Sequence, residues 1–226
     1  MLDVFRNEIK YIIPYEKALK MSGILDQILQ RDSYGEEGRY IVRSQYYDSL
    51  DDQDLFDNLQ GVMEKRKIRL RIYAPDTEKV KLEYKCKSNT SGRKLSMTIT
   101  REEACQMERG QYDWLLKREE ELAGFLYVKM VRSIYMPKTI VEYNRLAYTS
   151  PVSNVRITFD TNLRGTQTPY GLFEYHPPYL PLLNDELAVM EVKFDHFLPE
   201  PIRHIIDGIN SVAEANSKYS GARMLL

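Results

Sequence analysis

The residues with the most chemistry in them sit in a strand pattern. Between Val62 and Lys94 the chain carries eleven basic residues and four acidic ones. Within Met63–Tyr73, Lys65, Lys67, Arg69 and Arg71 fall at odd positions with Ile68, Leu70 and Ile72 between them, the period of two of a β-strand with one cationic face. Val80–Lys87 repeats the arrangement, with Lys81, Glu83, Lys85 and Lys87 facing one way and Val80, Leu82, Tyr84 and Cys86 the other. Pro75-Asp76 between them reads as a tight turn, so the two segments form a hairpin. Its cross-strand cations repel one another unless something anionic lies against them, and the chemistry such a face invites is the holding of phosphate or another polyanion.

The same alternation recurs in Arg6, Glu8 and Lys10, in Glu191, Lys193 and Asp195, and in Glu142 with Asn144 and Leu146. One such strand means little, because any half-exposed antiparallel strand puts polar residues outward. Several strands whose polar faces mix Glu8, Glu83 and Glu191 with Lys and Arg suit a charged lumen better. The basic segment is +7 and the rest of the chain −8, within a net charge of −1. The strand period argues against a disordered basic arm.

These faces need a scaffold, and 226 residues with 43% apolar content are enough to bury one sizeable core; a single domain over 1–226 is expected. No window approaches 18 consecutive apolar residues, so the chain is expected to have no membrane span of its own. The opening residues lack the basic head and apolar run of a signal peptide, giving the expectation of a cytoplasmic protein. Cys86 and Cys105 cannot make a disulfide framework, and with His176, His196 and His204 they show no zinc-ligand spacing. Seventeen tyrosines against one tryptophan favour sheet.

Strands are expected at about 4–13, 39–48, 63–74, 79–88, 93–100, 138–149, 154–162 and 188–195. Eight antiparallel strands can close into a barrel, with helices packed outside, an α+β fold. An amphipathic helix follows Pro14. A second helical region starts at the capping box Thr100-x-x-Glu103, runs through Leu122 and continues from Phe125 to Tyr135. A third covers roughly 200–215. The acidic run Asp48, Asp51, Asp52, Asp54 and Asp57 lacks the glycine and glutamate of a calcium loop and reads as helix capping. Residues 165–187, with four prolines and no periodicity, read as a loop, either a lid or simply mobile.

No phosphate-binding glycine loop, dinucleotide fingerprint, nucleophile elbow or paired-histidine motif is present. Basic strands with Tyr40, Tyr46, Tyr47, Tyr73 and Tyr84 could stack nucleobases, but the interspersed glutamates and negative overall charge count against nucleic acid as a partner.

Eight motifs in order carry a resemblance. They are Glu8-Ile-Lys10-Tyr11, Tyr46-Tyr-Asp48-Ser49, Lys67-Ile-Arg69-Leu-Arg71-Ile-Tyr73, Leu82-Glu83-Tyr-Lys85, Arg145-Leu-Ala-Tyr148, Val155-Arg156-Ile-Thr-Phe-Asp160-Thr-Asn162, Met190-Glu191-Val-Lys193 and Ser217-Lys218-Tyr219. From about residue 4 to 223 the chain resembles the catalytic domain of VTC (vacuolar transporter chaperone) polyphosphate polymerases, within the triphosphate tunnel metalloenzyme superfamily. The resemblance implies an eight-stranded barrel in which ATP and polyphosphate are held and the chain grows with release of ADP. It implies that Lys10, Arg69, Arg71, Lys85, Arg145 and Arg156 contact the reacting phosphates, that Lys94, Lys193, Ser217 and Lys218 add phosphate contacts, and that Glu191 binds Mn²⁺ or Mg²⁺. It also implies a membrane-protein partner that carries the product away.

Hydrolytic relatives carry Glu-x-Glu in the first strand, whereas here Arg6 precedes Glu8, and the last strand reads Glu191-x-Lys193. Fewer carboxylates mean fewer metal sites to position a hydrolytic water, which favours transfer to phosphate. Polymerases of the family also carry a lysine close before Ser-Lys, where this chain has Ala215-Asn216. A triphosphatase acting on nucleotide or inorganic triphosphate, and a non-catalytic binder of polyphosphate or nucleotide, stand as alternatives.

Overall fold

The structure, a computed structural model, describes residues 7–88, 91–167, 170–209, 213 and 217–225; Arg6, Ala215 and Asn216 lie outside them. The strands are β1 (Asn7–Pro14), β2 (Gln30–Arg31), β3 (Arg39–Asp48), β4 (Glu64–Ile72), β5 (Lys79–Ser88), β6 (Ser91–Thr100), β7 (Met136–Ser150), β8 (Val155–Gln167), β9 (Leu180–Pro181) and β10 (Leu187–Phe194). The helices are α1 (Tyr15–Ile28), α2 (Gln53–Leu59), α3 (Arg101–Glu108), α4 (Glu121–Arg132), α5 (Glu200–Asp207) and α6 (Lys218–Leu225). The fold is α+β and its sheet antiparallel, with hydrogen-bonded order β1-β10-β8-β7-β3-β4-β5-β6, β2 on β7 and β9 on β8. Eight strands make up this path, which ends at β1 and β6.

The chain forms two compact units. The first comprises Met1–Ile41, Tyr143–Arg164 and Pro181–Ser217. In it β1 pairs with β10 and β10 with β8, and the alternation of these strands sends Ile13, Val155, Ile157, Phe159, Met190 and Val192 to one side. There Ala18, Met21 and Leu25 of α1 and Ile202 and Ile206 of α5 cover them, the apolar stripe of an amphipathic helix against the apolar face of a sheet. Pro14 stands just before α1 as its cap residue.

The second unit comprises Val42–Glu142, Gly165–Leu180 and Lys218–Leu226. Here Ile68, Leu70 and Ile72 of β4, Val80, Leu82 and Tyr84 of β5 and Met97 and Ile99 of β6 meet Ala104 and Met107 of α3 and Leu122, Leu126 and Met130 of α4. β4 and β5 form the expected hairpin, and its register sets Arg69 opposite Glu83 and Arg71 opposite Lys81.

The capping box forms as the sequence spacing requires: Glu103 N–H donates to Thr100 Oγ1 at 3.1 Å and Thr100 N–H to Glu103 Oε2 at 2.8 Å. The expected helix through Leu122 is instead broken. Gly110, at φ +73°, ends α3 in the left-handed region, and Asp113–Lys117 forms a 3₁₀ turn before α4. α4 runs through Gly124 without interruption. The 165–187 segment is also corrected in part. β8 extends into it to Gln167, β9 lies within it, and Leu172 and Phe173 are buried in the second core. Arg43 donates to the carbonyls of Leu172 and Glu174, and Glu108 accepts from Leu172 N–H, so residues 172–174 are strapped down rather than poised as a lid. α5 ends at Asp207, short of the expected 215.

Two charged strand faces as candidate phosphate sites

The face of each sheet segment opposite its apolar core carries the charged residues. In the first unit, register places Lys10 opposite Glu191 and Glu8 opposite Lys193 across β1 and β10, and Glu191 opposite Thr158 and Lys193 opposite Arg156 across β10 and β8. Glu191 is buried, with Lys193 Nζ at 3.2 Å, Arg145 Nη2 at 3.7 Å and Lys10 Nζ at 3.8 Å. Glu8 reaches the same two lysines, Lys10 at 3.0 Å and Lys193 at 3.6 Å. Arg145 donates from Nε and Nη2 to the two oxygens of the buried Asp160, and Arg156 Nη2 donates to Asp32 Oδ2 at 2.8 Å and to Tyr40 Oη at 2.7 Å. Lys10, Arg145, Arg156, Glu191 and Lys193 are thus brought together on one face.

In the second unit Arg69, Arg71, Lys85 and Lys94 share a face. Lys67, Lys85 and Lys94 form a single cross-strand row over β4, β5 and β6, and the next row is Arg69, Glu83 and Ser96. Glu83 accepts from Arg69 Nε at 2.6 Å and is ion-paired with Lys94. Burial pushes the Glu83 carboxyl up, but the charges of Arg69, Arg71 and Lys94 outweigh it and hold the group well below the usual range. Burial also lowers the Lys94 ammonium, against the pull of Glu83. Arg71 Nε donates to Ser44 Oγ at 3.1 Å, and Arg69 lies over the Tyr46 ring with Nη1 3.3 Å from its hydroxyl.

Ser217 and Lys218 stand at the start of α6. Asp48 and Asp52 hold this helix in the second unit: Tyr219 hydroxyl donates to Asp48, its ring stacks on Tyr46 at 5.2 Å, and Arg223 meets Asp52 with two nitrogens at 2.8 Å each. Asp48 also accepts from the backbone of Asp54 and Leu55 at 2.9 Å each, so within the acidic run it is Asp48 that caps α2, while Asp52 at the N-cap position makes no capping bond.

Glu142 does not belong with the charged faces. It pairs with Arg43 at 2.6 Å and accepts from Tyr179, and Arg43 shares the side of β3 that turns Tyr47 into the apolar core. Asp160, Asp32 and Ser44 join the site only through these contacts. Alternation with Arg156 marks Asp160, whereas Asp32 lies outside any periodic segment.

No cluster of three His, Cys, Asp or Glu side chains that could hold a metal occurs among the described residues. That donor set still fits Mg²⁺ or Mn²⁺ carried by phosphate, since such an ion takes one or two protein carboxylates and fills its remaining positions with phosphate oxygens and water. Glu191 would supply one carboxylate, and Glu8, diagonal to it across β1 and β10, would be the candidate for a second.

No curated protein matches the chain. Among solved structures it is similar to a Bacillus halodurans protein described as a candidate adenylate cyclase, at 11% identity with 95% of this chain and 94% of that one covered and a TM-score of 0.54. A Pyrococcus horikoshii protein aligns at 14% identity over 98% of each chain with a TM-score of 0.49. The first of these shows a shared fold. A model of the VTC domain matches residues 5–226, and it brings a triphosphate-tunnel function related to nucleotides or polyphosphate, with phosphoryl chemistry. The strand motifs, the charged faces and a match over nearly the whole length agree, and the chain belongs to the VTC domain family.

Proposed function

We propose that this protein is an ATP-dependent polyphosphate polymerase. The observation that carries the reading is the row Lys67, Lys85 and Lys94 beside Arg69 and Arg71. Like charges directly opposite one another cost stability in a sheet, and a polyanion laid along them removes that cost. The family match across both units supports treating residues 1–226 as one functional domain.

In the proposed reaction a terminal oxygen of the polyphosphate chain attacks the γ-phosphorus of ATP. One P–O bond forms, the bond from γ-phosphorus to the β,γ-bridging oxygen breaks, and ADP leaves with that oxygen. The protein does little covalent work in such a transfer; it positions the phosphates and neutralises charge. Lys10, Arg69, Arg71, Lys85, Arg145 and Arg156 contact the reacting phosphates, with Lys94, Lys193, Ser217 and Lys218 adding contacts. Arg69 and Arg71 offer two-point contacts that Lys cannot match. Glu191, with Glu8 beside it, would hold a divalent ion, which supplies charge neutralisation between phosphate oxygens. Losing one charge-assisted contact made in the transition state costs about 1.5–3 kcal/mol, or about ten- to a hundredfold in rate.

A cytoplasmic location and a membrane-protein partner that takes up the product complete the reading. No helix among the described residues is long and apolar enough to cross a membrane. Enrichment on membranes above that of an unrelated soluble protein tests the partner.

The deciding experiment incubates the protein with γ-labelled ATP and Mn²⁺ beside Glu191→Ala. A ladder of labelled polymer that the variant fails to make supports the polymerase. Orthophosphate alone makes the protein a triphosphatase, and intact ATP with measurable binding makes it a binder.

A further inference from the structure

Thr158 lies on β8 between Arg156 and Asp160, directly opposite Glu191 on β10. The residue is 2% exposed, and its hydroxyl has no hydrogen-bond partner among the described residues. Folded proteins pair nearly all such buried groups, so a hydroxyl kept here without one points to a second arrangement of the site in which it is used. Directly opposed residues of an antiparallel pair have their Cβ atoms about 4.5–5.5 Å apart, which puts this hydroxyl within a side-chain rotation of the Glu191 carboxylate.

The contacts of Glu191 with Lys193, Arg145 and Lys10, at 3.2, 3.7 and 3.8 Å, are longer than the roughly 2.7–2.9 Å of a close charge-assisted hydrogen bond. All three are cations that a bound phosphate chain would draw toward itself. A carboxylate whose contacts to these cations loosen is better held in one orientation by a donor that stays in place. Thr158 is a neutral donor, and its hydroxyl is too deeply buried to be drawn off by phosphate.

We infer that Thr158 is the positioning residue of Glu191: as phosphate draws the cations away, its hydroxyl donates to one carboxylate oxygen and leaves the other for the metal. The inference rests on the metal role proposed for Glu191. Partners that orient a metal ligand typically change metal affinity about 10- to 100-fold when removed.

The test is Mn²⁺ titration calorimetry in the presence of β,γ-methylene ATP, with thermal unfolding of the metal-free, nucleotide-free protein alongside. Thr158→Val is expected to weaken Mn²⁺ binding about tenfold or more, and Thr158→Ser to stay within about threefold of wild type. Thr158→Val is also expected not to lower the metal-free Tm, because the hydroxyl it removes has no partner in that state. Wild-type Mn²⁺ affinity in Thr158→Val, or a lowered metal-free Tm, overturns the inference. Glu191→Gln separates the two claims. If it binds Mn²⁺ as wild type does, the metal role of Glu191 fails; if it loses the ion while Thr158→Val keeps it, the positioning role alone fails.

Discussion

Arg145 and Asp160 form a two-point ion pair, Nε to Oδ1 and Nη2 to Oδ2, each at 2.7 Å, with side chains 6% and 0% exposed. The pair fixes the guanidinium plane beside Glu191 and over the Tyr143 ring, 5.1 Å away. Removing one member of a buried pair strands the other charge, so Asp160→Ala is expected to cost about 3–5 kcal/mol in urea unfolding. Replacing both with apolar residues of similar volume, Arg145→Met with Asp160→Leu, is expected to recover most of that stability while phosphate binding stays lost. A double variant as unstable as Asp160→Ala would show that the pair itself stabilises the fold.

Glu83 ties stability to acid. Its folded-state carboxyl is held below its ordinary value of 4.5 by Arg69, Arg71 and Lys94, so its contribution is fully present above about pH 4.5 and is lost as pH falls below that. Glu83→Gln is expected to lower Tm at pH 7 and to narrow its deficit between pH 4.5 and pH 3. A deficit that stays constant with pH would mean that the cations do not hold this carboxylate.

Strand residues were legible because period-two alternation states both faces at once. Ile68, Leu70 and Ile72 declare the core, and Lys67, Arg69 and Arg71 are placed on the other face by the same pattern. Charge alone was a poorer guide. Glu142 looks like the other strand carboxylates, but Arg43, Tyr179 and the carbonyls of Leu172 and Glu174 give it a structural task. The two carbonyls, which accept from Arg43, lie 129 and 131 residues from it in the chain, and no local pattern encodes them. Two-residue strands such as β2 and β9 are too short to show a period. α6 is not legible in the sequence because its fixed points, Asp48 and Asp52, are 171 residues away from Tyr219 and Arg223.

Asp54 works in the opposite direction to Glu83. Burial and the neighbouring Asp48 carboxylate push its carboxyl up to about 6, against Lys129 and the Tyr135 hydroxyl 3.0 Å away. Its protonated form therefore favours the folded state. The stability it gives is fully present below about pH 3.8 and lost as pH rises through about 6. Asp54→Asn keeps an acceptor for Tyr135 without the charge. It is expected to be about 2–3 kcal/mol more stable than wild type at pH 8, with the difference vanishing near pH 4. Equal unfolding midpoints at pH 8 would rule out a raised carboxyl.

The row Lys67, Lys85 and Lys94 sets the last expectation, because it predicts opposite changes in the absence and presence of ligand. Lys85→Met keeps the length of the side chain and removes the charge between two like neighbours. Like charges directly opposite one another are destabilising, so the unliganded variant is expected to be as stable as wild type or slightly more so. With polyphosphate present the order reverses. A ligand at 100 times its Kd stabilises by about 2.7 kcal/mol, and a tenfold weaker Kd removes about 1.4 kcal/mol of that at the same concentration. Thermal unfolding with and without polyphosphate should therefore show a smaller ligand-induced Tm rise in Lys85→Met. Raising salt from 0.1 M to 1 M shortens the screening length from about 10 Å to about 3 Å and should shrink the wild-type rise as well. A rise equal in both proteins, or insensitive to salt, would place the polyanion somewhere other than on this row.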